Sequence, residues 1–153
     1  MKQFFAIFAV ALLLFACNKD KFETKPQLKI KSVNTKEVSN TQPLTVSIEF
    51  TDKEGDVSDS FFIVRQRLNA RGPRTFDALP YKIPDFPNTR KGLIEVNFRF
   101  FEDLILQLEP IRIPGTNPSR NEPDTMQFKF VAKDKAGNYS DTAVLNDIFV
   151  ERL

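Results

Sequence analysis

The chain is expected to fold as an all-β domain, two packed sheets with Greek-key wiring and about seven short strands. Three observations predict it. Apolar and polar residues alternate with period two in segment after segment, as half-buried strands require. No stretch carries a capped apolar stripe of helical period. Eight of the ten prolines lie between Pro73 and Pro123, so the middle of the chain is expected to hold long loops.

The elements follow in order. Met1-Lys2-Gln3 carries one positive charge, and Phe4 to Ala16 is a run of 13 residues without a charge or a strong breaker. A membrane-spanning helix needs ~20 such residues, so this run fits the apolar region of a signal peptide. It ends Leu14-Phe15-Ala16-Cys17 and is followed by Asn18-Lys19-Asp20-Lys21. This resembles the lipobox of bacterial lipoproteins: Leu three before the cysteine, a small residue just before it, then the cysteine. Phe15 is bulkier than the residue usual there. The resemblance implies cleavage before Cys17 and lipidation of its sulfur, with residues 1–16 as leader and residues 17–26 as a lipidated flexible tether. Lys19-Asp20 resembles the Lys-plus-acid signal that sends lipoproteins of Bacteroidota to the outer cell surface, which implies an outer-membrane lipoprotein of that type facing the cell surface or the periplasm. The acyl chains, palmitate among them, anchor at ~0.8 kcal/mol per buried methylene.

Residues 27–153 form the expected domain. Leu28, Ile30 and Ser32 mark a first strand. Leu44, Val46, Ile48 and Phe50 alternate with Thr45, Ser47, Glu49 and Thr51, the cleanest strand pattern in the chain. Phe61-Phe62-Ile63-Val64 is apolar on both faces, as in a central strand. Ile94, Val96, Phe98 and Phe100 alternate with Glu95, Asn97 and Arg99. Phe101 to Gln107 has room for a turn or two of helix before Pro110 and Pro114 close it off. Met126, Phe128, Phe130 and Ala132 mark the next strand, and Asp141 to Val150 the last.

Two turns carry letters as well as pattern. Asp52-Lys53-Glu54-Gly55-Asp56 follows the second strand, and Asp134-Lys135-Ala136-Gly137-Asn138-Tyr139-Ser140 joins the last two. Each combines side chains that cap turns with a glycine able to take positive φ. Both resemble turns of bacterial immunoglobulin-like and cadherin-like domains, and the resemblance implies a single immunoglobulin-like β-sandwich. The paired cysteines, buried Trp and tyrosine corner of antibody domains are missing.

Such wiring puts both turns at one end of the sandwich. Asp52, Glu54, Asp56, Asp134, Asn138 and Asp141 then become candidate ligands for Ca²⁺, which takes six to eight hard oxygens in general. The turn is not an EF-hand, because Gly55 comes too early and Ile63 stands where the bidentate Glu belongs. The competing reading is a pair of ordinary solvated turns, and no cofactor is required.

A second candidate is the segment from Asn69 to Lys91, longer than an ordinary connection. Phe76, Leu79, Tyr81, Ile83 and Phe86 place five large apolar residues in eleven positions. Phe76, Tyr81 and Phe86 are the candidate partner-binding anchors, with Arg71, Arg74, Arg90 and Lys91 as a cationic rim. The rival is that these side chains fold back over an open sheet edge, part of the segment becoming an extra strand. From Arg65 to Arg99 the chain has eight basic residues against three acidic ones, which suits an anionic polymer or protein.

Composition excludes much chemistry. The chain has no His and one Cys, so triads built on His, His-ligated metals, intrachain disulfides and cysteine-based zinc clusters cannot form. Without the leader's Lys2, 21 basic residues face 20 acidic ones, which argues against nucleic-acid binding. The expectation is a monomeric, membrane-anchored lipoprotein that binds or scaffolds an envelope protein or polymer and is not an enzyme. A calcium-stabilised structural spacer is the alternative, and a hydrolase built on carboxylates alone is a distant third.

Overall fold

The computed structural model describes residues 23–57, 60–84 and 88–153. The leader, Cys17 and the first part of the expected tether lie outside the described residues, as does Phe86. The described chain is mostly β. Its strands are β1 (Gln27–Val33), β2 (Glu37–Val38), β3 (Leu44–Thr51), β4 (Ser60–Arg67), β5 (Arg74–Thr75) and β6 (Leu79–Lys82). After these come β7 (Lys91–Phe98), β8 (Ile111–Arg112), β9 (Asn121–Glu122), β10 (Asp124–Lys133) and β11 (Ala143–Val150).

One sheet has the order β1-β3-β7. A larger one runs β2-β11-β10-β4, with β5 and β6 both added to the open edge of β4. β8 and β9 form a small hairpin of their own. The six long strands are those the alternation marks. The five short ones are invisible to it, because two to four residues are too few to show a period.

Alternation translates directly into burial. Along β10 every second residue, from Asp124 through Met126, Phe128 and Phe130 to Ala132, is buried. β3 does the same with Leu44, Val46, Ile48 and Phe50. These faces meet in one core, where the Phe98 ring lies 4.7 Å from that of Phe128 and Phe61 stacks on Phe130 at 5.9 Å. β7 has Gly92 at the point where a side chain would enter this core. A Cβ there would lie 2.6 Å from the Phe50 ring, so the glycine makes room for that ring.

Within the segment from Asn69 to Lys91, Arg74–Thr75 and Leu79–Lys82 are strands rather than free loop. β5 and β6 pair antiparallel with β4 and satisfy its otherwise open edge. Pro80 is tolerated within β6 because an edge strand has one side with no ladder to complete.

The two ends of the molecule differ. At the base, Gln27 pairs with Thr51, Thr51 with Lys91, and Ser60 with Lys133. The chain enters here: the Lys53 amide donates to Glu23 O at 3.2 Å, and Lys25 pairs with Asp141 at 2.9 Å. At the far end, residues 99–123 cross from β7 to β10. They begin with one π-helical turn, Phe100–Ile105, closed by the Leu106 amide donating to Phe101 O. Its Phe100 and Leu104, with Leu108 beyond, are buried and plug the core. Asp124, buried in phase with Met126, holds this end together. Its carboxylate lies 3.3 Å from Arg67 Nη1 and 3.4 Å from Arg152 Nε, and both guanidiniums are buried too. Arg67 also donates to Gly72 O and Glu109 O, and Arg152 to Leu108 O.

Candidate functional site

The base brings together three carboxylates among the described residues. Asp52 follows directly on β3, and its backbone amide still donates to Arg90 O at 2.9 Å. Its side chain turns inward. Oδ2 accepts from the amides of Gly55, at 2.7 Å, and Asp56, at 3.1 Å, and this closes the turn. Gly55 is required: its φ is +74°, and a Cβ would come within 2.9 Å of the Asn88 backbone. β10 ends next to Asp134, whose Oδ1 accepts the Asn138 amide at 2.7 Å while Oδ2 accepts Asn138 Nδ2 at 2.9 Å. The Lys135 amide donates to Asp56 O and links the two turns.

The result is a group of three carboxylates. One oxygen each from Asp52, Asp56 and Asp134 lies within 4.8 Å of the other two. Asp52 is 0 % and Asp134 1 % exposed. Burial, then the adjoining Asp52 carboxylate and the charge of Asp134, push the Asp56 carboxyl above its usual value. Asp52 Oδ1 and Asp56 Oδ1 are both buried without a hydrogen-bond partner. Oxygens of this kind are the ligands that hard divalent cations take.

Three other expected ligands stand differently. Asn138 acts as a donor to Asp134 and shapes the turn. Glu54 points out of the turn and is exposed, because the inward positions go to Asp52 and Asp56. Asp141 is exposed and bound to Lys25 through both carboxylate oxygens, at 2.9 and 3.1 Å.

The residues read as a partner-binding element are dispersed. Phe76 is buried in the core cluster, its ring covered by the guanidiniums of Arg65 and Arg74 at 4.7 and 5.1 Å. It is a core residue rather than an exposed anchor, because β5 carries it back over the sheet. Tyr81 is 44 % exposed on β6. Arg71 is engaged with Glu122 at 2.7 Å, and Arg74 donates to Gln107 O. Arg90 and Lys91 lie at the base instead, where Lys91 pairs with Glu49 at 3.2 Å. The four cations therefore divide between the two ends and form no single rim.

Sequence reasoning missed the buried Arg67–Asp124–Arg152 group. A signal was present, since Asp124 and Arg67 fall in phase with the apolar faces of their strands. It also missed the far end as a surface. Phe101, Leu106, Ile113 and Leu68 are all exposed there, Phe101 by 54 % and Leu106 by 58 %.

No protein-family model and no curated protein matches the chain. Among solved structures it is similar to a β-glucosidase from Listeria innocua in complex with gluconolactone, with a TM-score of 0.42 and 14 % identity. That likeness covers 84 % of this chain and 16 % of the other. It is also similar to Spo0M, a sporulation control protein from Bacillus subtilis, with a TM-score of 0.40 and 12 % identity, over 84 % of this chain and 50 % of that one. The chain thus spans half the length or less of both, and at these scores neither bears on its activity.

Proposed function

We propose that the chain is a lipid-anchored, non-catalytic domain of the bacterial envelope that holds its far end away from the membrane for a partner protein. The observation that carries this reading is the polarity of the molecule. The chain comes in at the base, beside Lys53 and Asp141, while residues 99–123 crown the opposite end. Residues 18–26, nine in number, can span at most ~30 Å, so an acylated Cys17 holds the base close to the bilayer. No described helix is long and apolar enough to cross a membrane.

The domain is an immunoglobulin-like sandwich in this reading. Support comes from strand order: β1-β3-β7 matches the first, second and fifth strands of that fold, and β11-β10-β4 the seventh, sixth and third. A separate fourth strand is absent among the described residues.

The partner is a protein rather than an anionic polymer. Exposed Phe101, Leu106, Ile113 and Leu68 offer apolar anchors. The neighbouring cations Arg71 and Arg99 are already matched by Glu122 and Asp103. The test is in-cell cross-linking of the full-length lipoprotein, comparing Phe101→Ser with Leu106→Ser against Tyr139→Ser at the base. Loss of a cross-linked protein partner in the first pair alone supports the reading. Loss with Tyr139→Ser alone places the contact at the base and contradicts it.

A further inference from the structure

We propose that Asp52, Asp56 and Asp134 form a calcium-class cation site that ties the β3–β4 turn to the β10–β11 turn at the base. The proposal does not rest on the lipid anchor or on the far-end partner. Proximity of three acids alone would not carry it. What points to a ligand is Asp52 Oδ1, which belongs to a side chain with no exposed surface and has no hydrogen-bond partner. Asp56 Oδ1 is orphaned too, and both residues belong to the carboxylate cluster. Buried acceptors are ordinarily satisfied, and a charged one left without a donor is the costliest case. A protein that only needed a turn here could have closed it with Asp52 Oδ2, which already accepts two amides. That leaves Asp52 Oδ1 and Asp56 Oδ1 buried with no donor.

The donor set selects the metal. Three carboxylates and no imidazole or thiolate make a hard site, unsuited to zinc or copper. Oxygens within 4.8 Å of one another can share an ion with bonds of ~2.3–2.6 Å, the calcium range. Mg²⁺, with bonds of ~2.1 Å, needs opposed oxygens closer together and gives up its waters reluctantly. The site is also pre-shaped. Asp134 is held by Asn138 and Asp52 by its own turn, so little ordering is left for binding to impose. Its position gives it a consequence. The Glu23 and Lys25 contacts fasten the incoming chain to these same two turns, so an ion would stiffen the base through which the domain is held.

The test uses chelator-stripped full-length protein in detergent micelles. Calorimetric titration should find one Ca²⁺ per chain, with an affinity near the ~10⁻⁴–10⁻³ M of extracellular calcium modules, and the melting temperature should rise with Ca²⁺. Asp56→Asn is the informative variant, because no amide depends on its side chain in the described contacts. It should lower the affinity by about tenfold or more, since ligand charge sets it. In chelator it should melt no lower than the wild type, because the amide relieves like-charge crowding. Glu54→Gln and Asp141→Asn should bind as the wild type does. Absence of binding heat and of any melting shift up to ~10 mM Ca²⁺, ten times the weak end of that range, overturns the site. So does Asp56→Asn with an unchanged calcium response, and an equal shift from Mg²⁺ overturns the assignment to calcium.

Discussion

Asp52 and Asp134, from strands in different sheets, bring carboxylate oxygens within 4.8 Å of each other under the base of the domain. Each is the first residue past its strand, and each uses its own oxygens to close the turn that follows. The opposite end is closed by the reverse arrangement, one buried carboxylate between two buried guanidiniums. The domain is thus fastened at its far end by opposite charge and through its middle by phenylalanine.

The middle gives the first prediction. Phe128 has no exposed surface and touches the rings of Phe98 and Phe130. Phe128→Ala should destabilise the fold by ~3–5 kcal/mol, the range for emptying a buried aromatic site. Denaturant unfolding measures it, and a loss under about 1 kcal/mol would mean the ring faces solvent.

Asp124→Ala should destabilise by a similar ~3–5 kcal/mol, for a different reason. It leaves the buried Arg67 and Arg152 guanidiniums uncompensated, and uncompensated buried charge is costly. Replacing Asp124 together with both arginines by apolar residues of like volume should recover much of the loss. A triple variant no more stable than Asp124→Ala would show that the group does more than fill space.

Phe76 and Tyr81 should respond oppositely to the same substitution. Phe76→Ser removes a buried ring and its contacts with Arg65 and Arg74, and should cost ~3–5 kcal/mol. Tyr81→Ser, on an exposed edge strand, should cost under about 1 kcal/mol. Equal losses would mean that Tyr81 is as deeply packed as Phe76.

How far the sequence could be read follows from the physics of each feature. The long strands were legible because burial on one face writes a period into the letters, as in Met126, Phe128, Phe130 and Ala132. The turn after Phe50 was legible because closing it needs Asp and Gly. β5 and β6 were not, since edge strands of two to four residues need neither period nor uniform polarity, and β6 contains Pro80. Gly92 looked like any glycine until the Phe50 ring was found where its side chain would be. Within the acidic set, the letters could not separate Asp56, turned inward, from Glu54 and Asp141, turned to solvent. That choice depends on which way each turn rolls against the other sheet.

Metabolic labelling with palmitate reads out attachment through Cys17. The full-length chain should take up label and sediment with membranes. Cys17→Ala should take up no label and keep its leader, because the only sulfur able to form the thioether is gone. Label retained by Cys17→Ala, or none in the wild type, would rule out lipid attachment at Cys17.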